Sequence, residues 1–218
     1  MTNVIKIFKQ IAFWFLQFTW GLPTTLIGCF YVLYALIIKA KCFKFGYTYC
    51  FILNKMYSGV SLGAFYFLGP VYENNLFINQ HETGHQFQNI IFGLFFPFIV
   101  GLPSAIRHHL HRRKNRNKLL KVVLIIYLLL VFLSFIFLIP GVLLNILWLK
   151  ILGIVFFLYG TGILLWMILS EVPKIKNNTF DYYGIWFEST ASSIGKKIYE
   201  KNCGILKYPK VKYYEKKQ

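Results

Sequence analysis

The stretch "NQHETGHQFQNIIFGLFFPFIVGLPSAIRHHLHRR", residues 79–113, decides how the chain is read. It opens with His81-Glu82-Thr83-Gly84-His85 and runs straight into an apolar segment and a knot of arginines and histidines. On a helix, positions i and i+4 lie one turn apart on one face, so His81 and His85 can present both imidazoles to a single metal ion. The polar run before it, Asn74-Asn75 to Asn79-Gln80, can cap a helix, and Phe87, Ile90, Ile91 and Leu94 continue at helical spacing.

Around this motif the chain reads as a membrane protein. Hydrophobic residues make up 57% of its 218 residues and charged residues 14%, against the usual soluble balance of roughly 45–50% and 25%. Mean hydropathy is +0.54. A soluble globule cannot hide that much apolar surface. The formal net charge is +17, from 24 basic and seven acidic side chains. These bases crowd the ends of apolar runs, which fits anionic lipid head groups and topology signals, with no nucleic-acid partner expected. Cys29, Cys42, Cys50 and Cys203 form no CxxC pair and read as free thiols facing a reducing compartment. The apolar run after Lys6 and Lys9 is too long for a cleaved leader, so a retained anchor is expected.

Residues 11–38 carry no charge and are long enough to cross about 30 Å of hydrocarbon, with a kink at Gly21 and Pro23. Residues 45–78, rich in glycine and aromatics and closed by Gly-Pro and Asn-Asn, favour a small β-hairpin. Residues 79–106 are expected to hold the motif helix and a bent apolar segment broken by Gly93, Pro97, Gly101 and Pro103. Arg107 to Lys121 carries seven Lys/Arg and no acid, and with His108, His109 and His111 reads as a lipid-facing basic collar. Residues 119–139 and 148–169 are two strong spans joined by a tight turn, and residues 181–201 form an amphipathic helix before a basic tail. Both flanks of the 119–169 hairpin are basic and its turn is uncharged, which predicts cytoplasmic flanks and, if residues 87–106 do not cross, a cytoplasmic motif as well.

The chemistry expected of the motif is that of zinc. Glu82, beside the two histidines, can take a proton from a water whose pKa zinc lowers towards 7. A hydrolytic zinc needs a third ligand and an open fourth position. Among the few acids, Glu188 lies in the apolar half of "GIWFESTASSIG", where an unpaired carboxylate is costly and a metal would remove that cost.

"HETGHQFQ…GLPSAI" followed by "FESTASSIG" resembles the gluzincin pattern, an HExxH helix and a downstream glutamate helix. The order of parts is similar to the membrane-embedded HtpX/Ste24 type of zinc metalloprotease, with a hydrophobic hairpin between the two helices. It also resembles small bacterial membrane proteins carrying HExGHxxQ. The resemblance implies His81, His85 and Glu188 as zinc ligands and Glu82 as general base. It also implies an aspartate four residues after Glu188. Ser192 stands there instead, an uncharged acceptor for an imidazole N–H. Tyr182 and Tyr183, about one turn before Glu188, can donate to an oxyanion.

The expected protein is therefore a single, mainly α integral membrane domain over 1–218. It has about three transmembrane helices, a zincin-like HExxH helix, a small β-hairpin and a C-terminal glutamate helix. Its expected function is zinc-dependent hydrolysis of protein or peptide substrates at the cytoplasmic face of a bacterial inner membrane. Anionic lipids are expected against residues 107–121. The alternatives are a non-catalytic membrane protein with a structural or degenerate zinc site, favoured by Ser192, or a lipid-binding or assembly factor.

Overall fold

Polar side chains inside the first apolar run decide its shape. In the computed structural model, which describes residues 2–112, 116–177, 179 and 181–202, the expected single helix over 11–38 is two. Helix α1 spans Thr2–Phe18 and α2 spans Leu22–Ile37, and their axes are bent by 96°. Gly21 and Pro23 permit the break, and Gln17, Thr24 and Thr25 are turned inward. Asn89 donates to Gln17 Oε1 (2.6 Å) and to the Gly21 carbonyl (3.2 Å), while Gln17 Nε2 donates to the Gln86 carbonyl (2.9 Å). A side chain at Gly21 would overlap the Asn89 amide. Buried polar groups need partners, and a straight apolar span would give these none.

The next segment builds two hairpins rather than one. Strands β1 (Lys41–Phe45) and β2 (Thr48–Ile52) pair antiparallel through a turn with Gly46 at φ 63°. Strands β3 (Gly59–Leu62) and β4 (Phe65–Leu68) pair through Gly63 at φ 64°. The hairpins join by a parallel β2–β4 pairing, giving the order β1-β2-β4-β3. Phe45, Cys50, Ile52, Tyr66 and Leu68 pack with Leu76 and Ile78 at the start of the next helix.

That helix, α3, spans Leu76–Phe92. The Asn75 side chain caps it by accepting from the Ile78 N–H (3.2 Å), and Gly93 at φ 54° ends it. A π-turn over Pro97–Gly101 follows, then helix α4 (Leu102–Arg112), and the chain bends by 118° between the segments Leu76–Phe95 and Pro97–His109.

The chain forms two compact units, the first from residues up to Ser104 and from Tyr183 onward, the second from Ala105 to Tyr182. The second is built on α5 (Arg116–Leu143) and α6 (Leu147–Trp166), joined by a turn with Asn145 at φ 54°. The apolar stretches Leu120–Leu143 and Leu147–Ile175 are long enough to cross a membrane, and each of the two bent pairs can add one crossing. Rows of exposed apolar residues such as Phe132, Leu143 and Trp148 are what a lipid-facing hairpin requires.

One expectation for this unit is corrected. Arg107 does not belong to a lipid-facing collar but is fully buried, with Nε on Glu171 Oε1 and its guanidinium 4.4 Å from the Trp166 ring centre. A charge in so apolar a unit is stable only when paired, and Glu171 supplies the carboxylate. His108 packs against Tyr182 and His109. The side chains of His111 to Leu119, and Cys203 with the basic tail, lie outside what the structure describes. Helices α7 (Val172–Lys176) and α8 (Trp186–Asn202) are the last elements among the described residues.

Candidate metal centre

The centre forms where α3 and α8 cross at backbone contact. A methyl built on Gly84 would lie 2.8 Å from Ala191 Cα, and one on Gly195 would lie 2.6 Å from the Gln80 carbonyl carbon. The missing side chains let the two helices approach until their short polar residues meet. Across this seam lie His81 and His85 of α3 and Glu188 of α8, all buried.

Three atoms converge. His81 Nε2 is 3.0 Å from Glu188 Oε2, His85 Nε2 is 3.2 Å from the same oxygen, and the two Nε2 atoms are 3.2 Å apart. Ligands about 2.0–2.1 Å from a tetrahedral ion stand about 3.3 Å from one another. The triangle is therefore close to the size one ion needs.

The surrounding hydrogen bonds determine what those atoms carry. Ser192 Oγ donates its one proton to the Glu188 carbonyl (3.0 Å), so it accepts from His81 Nδ1 (2.9 Å). Gln88 Nε2 donates to the Phe187 carbonyl (2.7 Å), so its Oε1 accepts from His85 Nδ1 (2.8 Å). Each imidazole spends its N–H outward, and each Nε2 turns a lone pair inward. Two nitrogen lone pairs and a carboxylate oxygen then face one another, an arrangement that repels itself unless a cation lies between. Glu188 Oε1 is also buried and has no hydrogen-bond partner among the described residues. This group can hold a metal ion.

The protonation tendencies agree with a site made for positive charge. Burial alone would raise the Glu188 carboxyl, but the neighbouring imidazoles hold it well below the usual carboxylate range. Burial opposes charge on His85, yet Glu188 lifts it to about 9. Burial lowers His81 despite its bond to Glu188. Glu82, also buried, is pushed up to about 7 by desolvation and forms no hydrogen bond among the described residues. Its carboxylate lies against Gly59 in β3, where any side chain would collide with it.

His81, Glu82, His85, Glu188, Ser192 and Tyr183 all belong to this first unit. Tyr183 packs edge-on to the His81 ring with centroids 5.2 Å apart, and Phe77 stacks on the same ring at 6.1 Å. Tyr182 is turned instead to His108. Gln88, Gly84 and Gly195 were not assigned roles from sequence. The signals were present, since Gln88 follows His85 by three residues on the same helix face and the glycines interrupt two helices that carry ligands.

No family model, curated protein or solved structure matches the chain. The local chemistry must carry the function.

Proposed function

We propose that this chain is a membrane-bound zinc metallohydrolase of gluzincin type, acting on protein or peptide substrates at the membrane surface. The observation that carries the reading is the inward convergence of His81 Nε2, His85 Nε2 and Glu188 Oε2, with both Nδ1 atoms satisfied from outside. Two imidazoles and one carboxylate are a donor set that suits zinc and leaves one position open. Zinc held by His81, His85 and Glu188 would lower the pKa of a bound water and polarise a carbonyl. Glu82 follows the first ligand in sequence and, with its pKa near 7, can take a proton and later return it to the leaving amine. Ser192 and Gln88 orient the ligands without adding charge, so the zinc retains more net positive charge than an aspartate partner would leave it. The basic stretch around the hairpin favours anionic lipids and a cytoplasmic site, with Arg107 excluded from that contact by its burial.

A second reading, a structural zinc that ties α8 to α3, is favoured by the burial of all three ligands. Metal content and hydrolysis separate the two. Wild type should hold an equimolar amount of zinc by mass spectrometry, Glu188→Ala should lose it, and Glu82→Gln should keep it while losing cleavage of a casein or peptide-library substrate. Zinc kept in Glu188→Ala, or none in wild type, refutes the centre. Zinc bound with no Glu82-dependent cleavage selects the structural reading.

A further inference from the structure

Both imidazoles must turn Nε2 inward to bind a metal, and two different groups enforce this. Ser192 does so with a hydroxyl, which can rotate. Gln88 does so with an amide whose orientation is fixed from the far side. Its Nε2 faces the Phe187 backbone carbonyl at 2.7 Å, and a carbonyl can only accept. Its Oε1 therefore faces His85 Nδ1 at 2.8 Å, and only an N–H satisfies it there. Gln88 is 1% exposed, so water does not compete for either bond. With Nδ1 protonated, the neutral ring has its lone pair on Nε2, beside Glu188 Oε2 at 3.2 Å.

We propose that Gln88 is a positioning residue of the metal centre, accepting from His85 Nδ1 and so holding that ring in the one neutral tautomer that can ligate. This rests on the metal centre proposed above. Gln88 acts through His85 and does not touch the metal. The Phe187 carbonyl serves to point the amide oxygen the right way. A glutamate at position 88 keeps the acceptor for His85 Nδ1 but loses the amide donor to the Phe187 carbonyl, which separates this role from a purely structural bridge between α3 and α8.

The test uses the full chain in detergent, with zinc affinity measured by chelator competition and the visible spectrum of the cobalt-loaded protein as a second readout. Gln88→Met, which removes both bonds, should weaken zinc binding by about 10–100-fold and alter the cobalt bands. Gln88→Glu, which keeps only the acceptor, should stay within about threefold of wild type, since the contact to the ligand ring survives. Wild-type affinity in Gln88→Met overturns the proposal, as does a Gln88→Glu protein that falls as far as Gln88→Met. If Gln88→Met does not fold, Gln88→Glu decides alone, because a tenfold or larger loss there overturns the role. A wild type that binds neither zinc nor cobalt sinks the metal centre and this role with it, whereas zinc binding that ignores both variants sinks this role alone.

Discussion

Replacing Gly195 by alanine tests whether backbone contact between α3 and α8 sets the ligand geometry. The added carbon would lie 2.6 Å from the Gln80 carbonyl carbon, where ordinary carbon contacts are about 3.5–4.0 Å. The shortfall of about 1 Å cannot be taken up by a flexible side chain, because the obstacle is backbone, so α8 must retreat or tilt. Glu188 lies seven residues away, two turns along the same face, and moves with the helix. Metal sites tolerate ligand displacements of about 0.2 Å, several-fold less than the retreat. Overpacking of this kind costs about 1–3 kcal/mol, which a folded domain can survive. The expected result is a protein with wild-type helical circular dichroism, a modestly lower Tm and zinc affinity reduced on the order of 100-fold, the upper end for changes outside the ligands themselves. Gly84→Ala should behave alike, since its methyl meets Ala191 of α8. Gly162→Ala is the control, with nothing within 4 Å of the added carbon, and should bind zinc as wild type does. Wild-type zinc affinity in a folded Gly195→Ala would show that the seam does not hold the triangle.

Two further outcomes follow from buried charge. A proton and zinc compete for His85 Nε2, and the lifted pKa of about 9 lies above the ordinary 6.5. Proton-linked stabilisation of the metal-free fold is thus fully present below about pH 6.5 and lost as pH rises through about 9, while zinc affinity rises with pH by up to tenfold per unit until about 9. Calorimetric titration from pH 6 to 9 checks this, and a flat profile refutes it. In the hairpin unit, Arg107→Leu or Glu171→Leu alone leaves a buried charge unpaired and should destabilise by about 3–5 kcal/mol, whereas the double change should recover most of the loss. Thermal unfolding in detergent measures all three, and an undiminished Tm in either single variant contradicts the burial argument.

Much of the centre was legible because its parts are local. His81, Glu82 and His85 sit within five residues, and the helical period alone puts the two rings on one face. Glu188 was found by a cost argument, since a carboxylate among apolar neighbours needs a cation. The two long spans followed from hydropathy. Other features were not legible because their partners are far apart in the chain. The 96° bend between α1 and α2 depends on Asn89 reaching Gln17 across 72 positions. The parallel β2–β4 pairing joins two hairpins whose sequences each suggest only a local turn. Arg107 looked like one more base in a basic run until Glu171, 64 residues on, took it inside.

The sequence by itself determined the residue types and their periods: a mostly helical chain with two stretches long and apolar enough to cross a membrane, two histidines one turn apart, and a carboxylate among apolar neighbours. Only the tertiary structure decided that Glu188 reaches both histidines, that the Ser192 hydroxyl meets His81 Nδ1, and that Gln88 does the same for His85. The reason is physical. Periodicity is a property of neighbouring residues, whereas the direction of a lone pair depends on a hydrogen bond to a carbonyl on another helix.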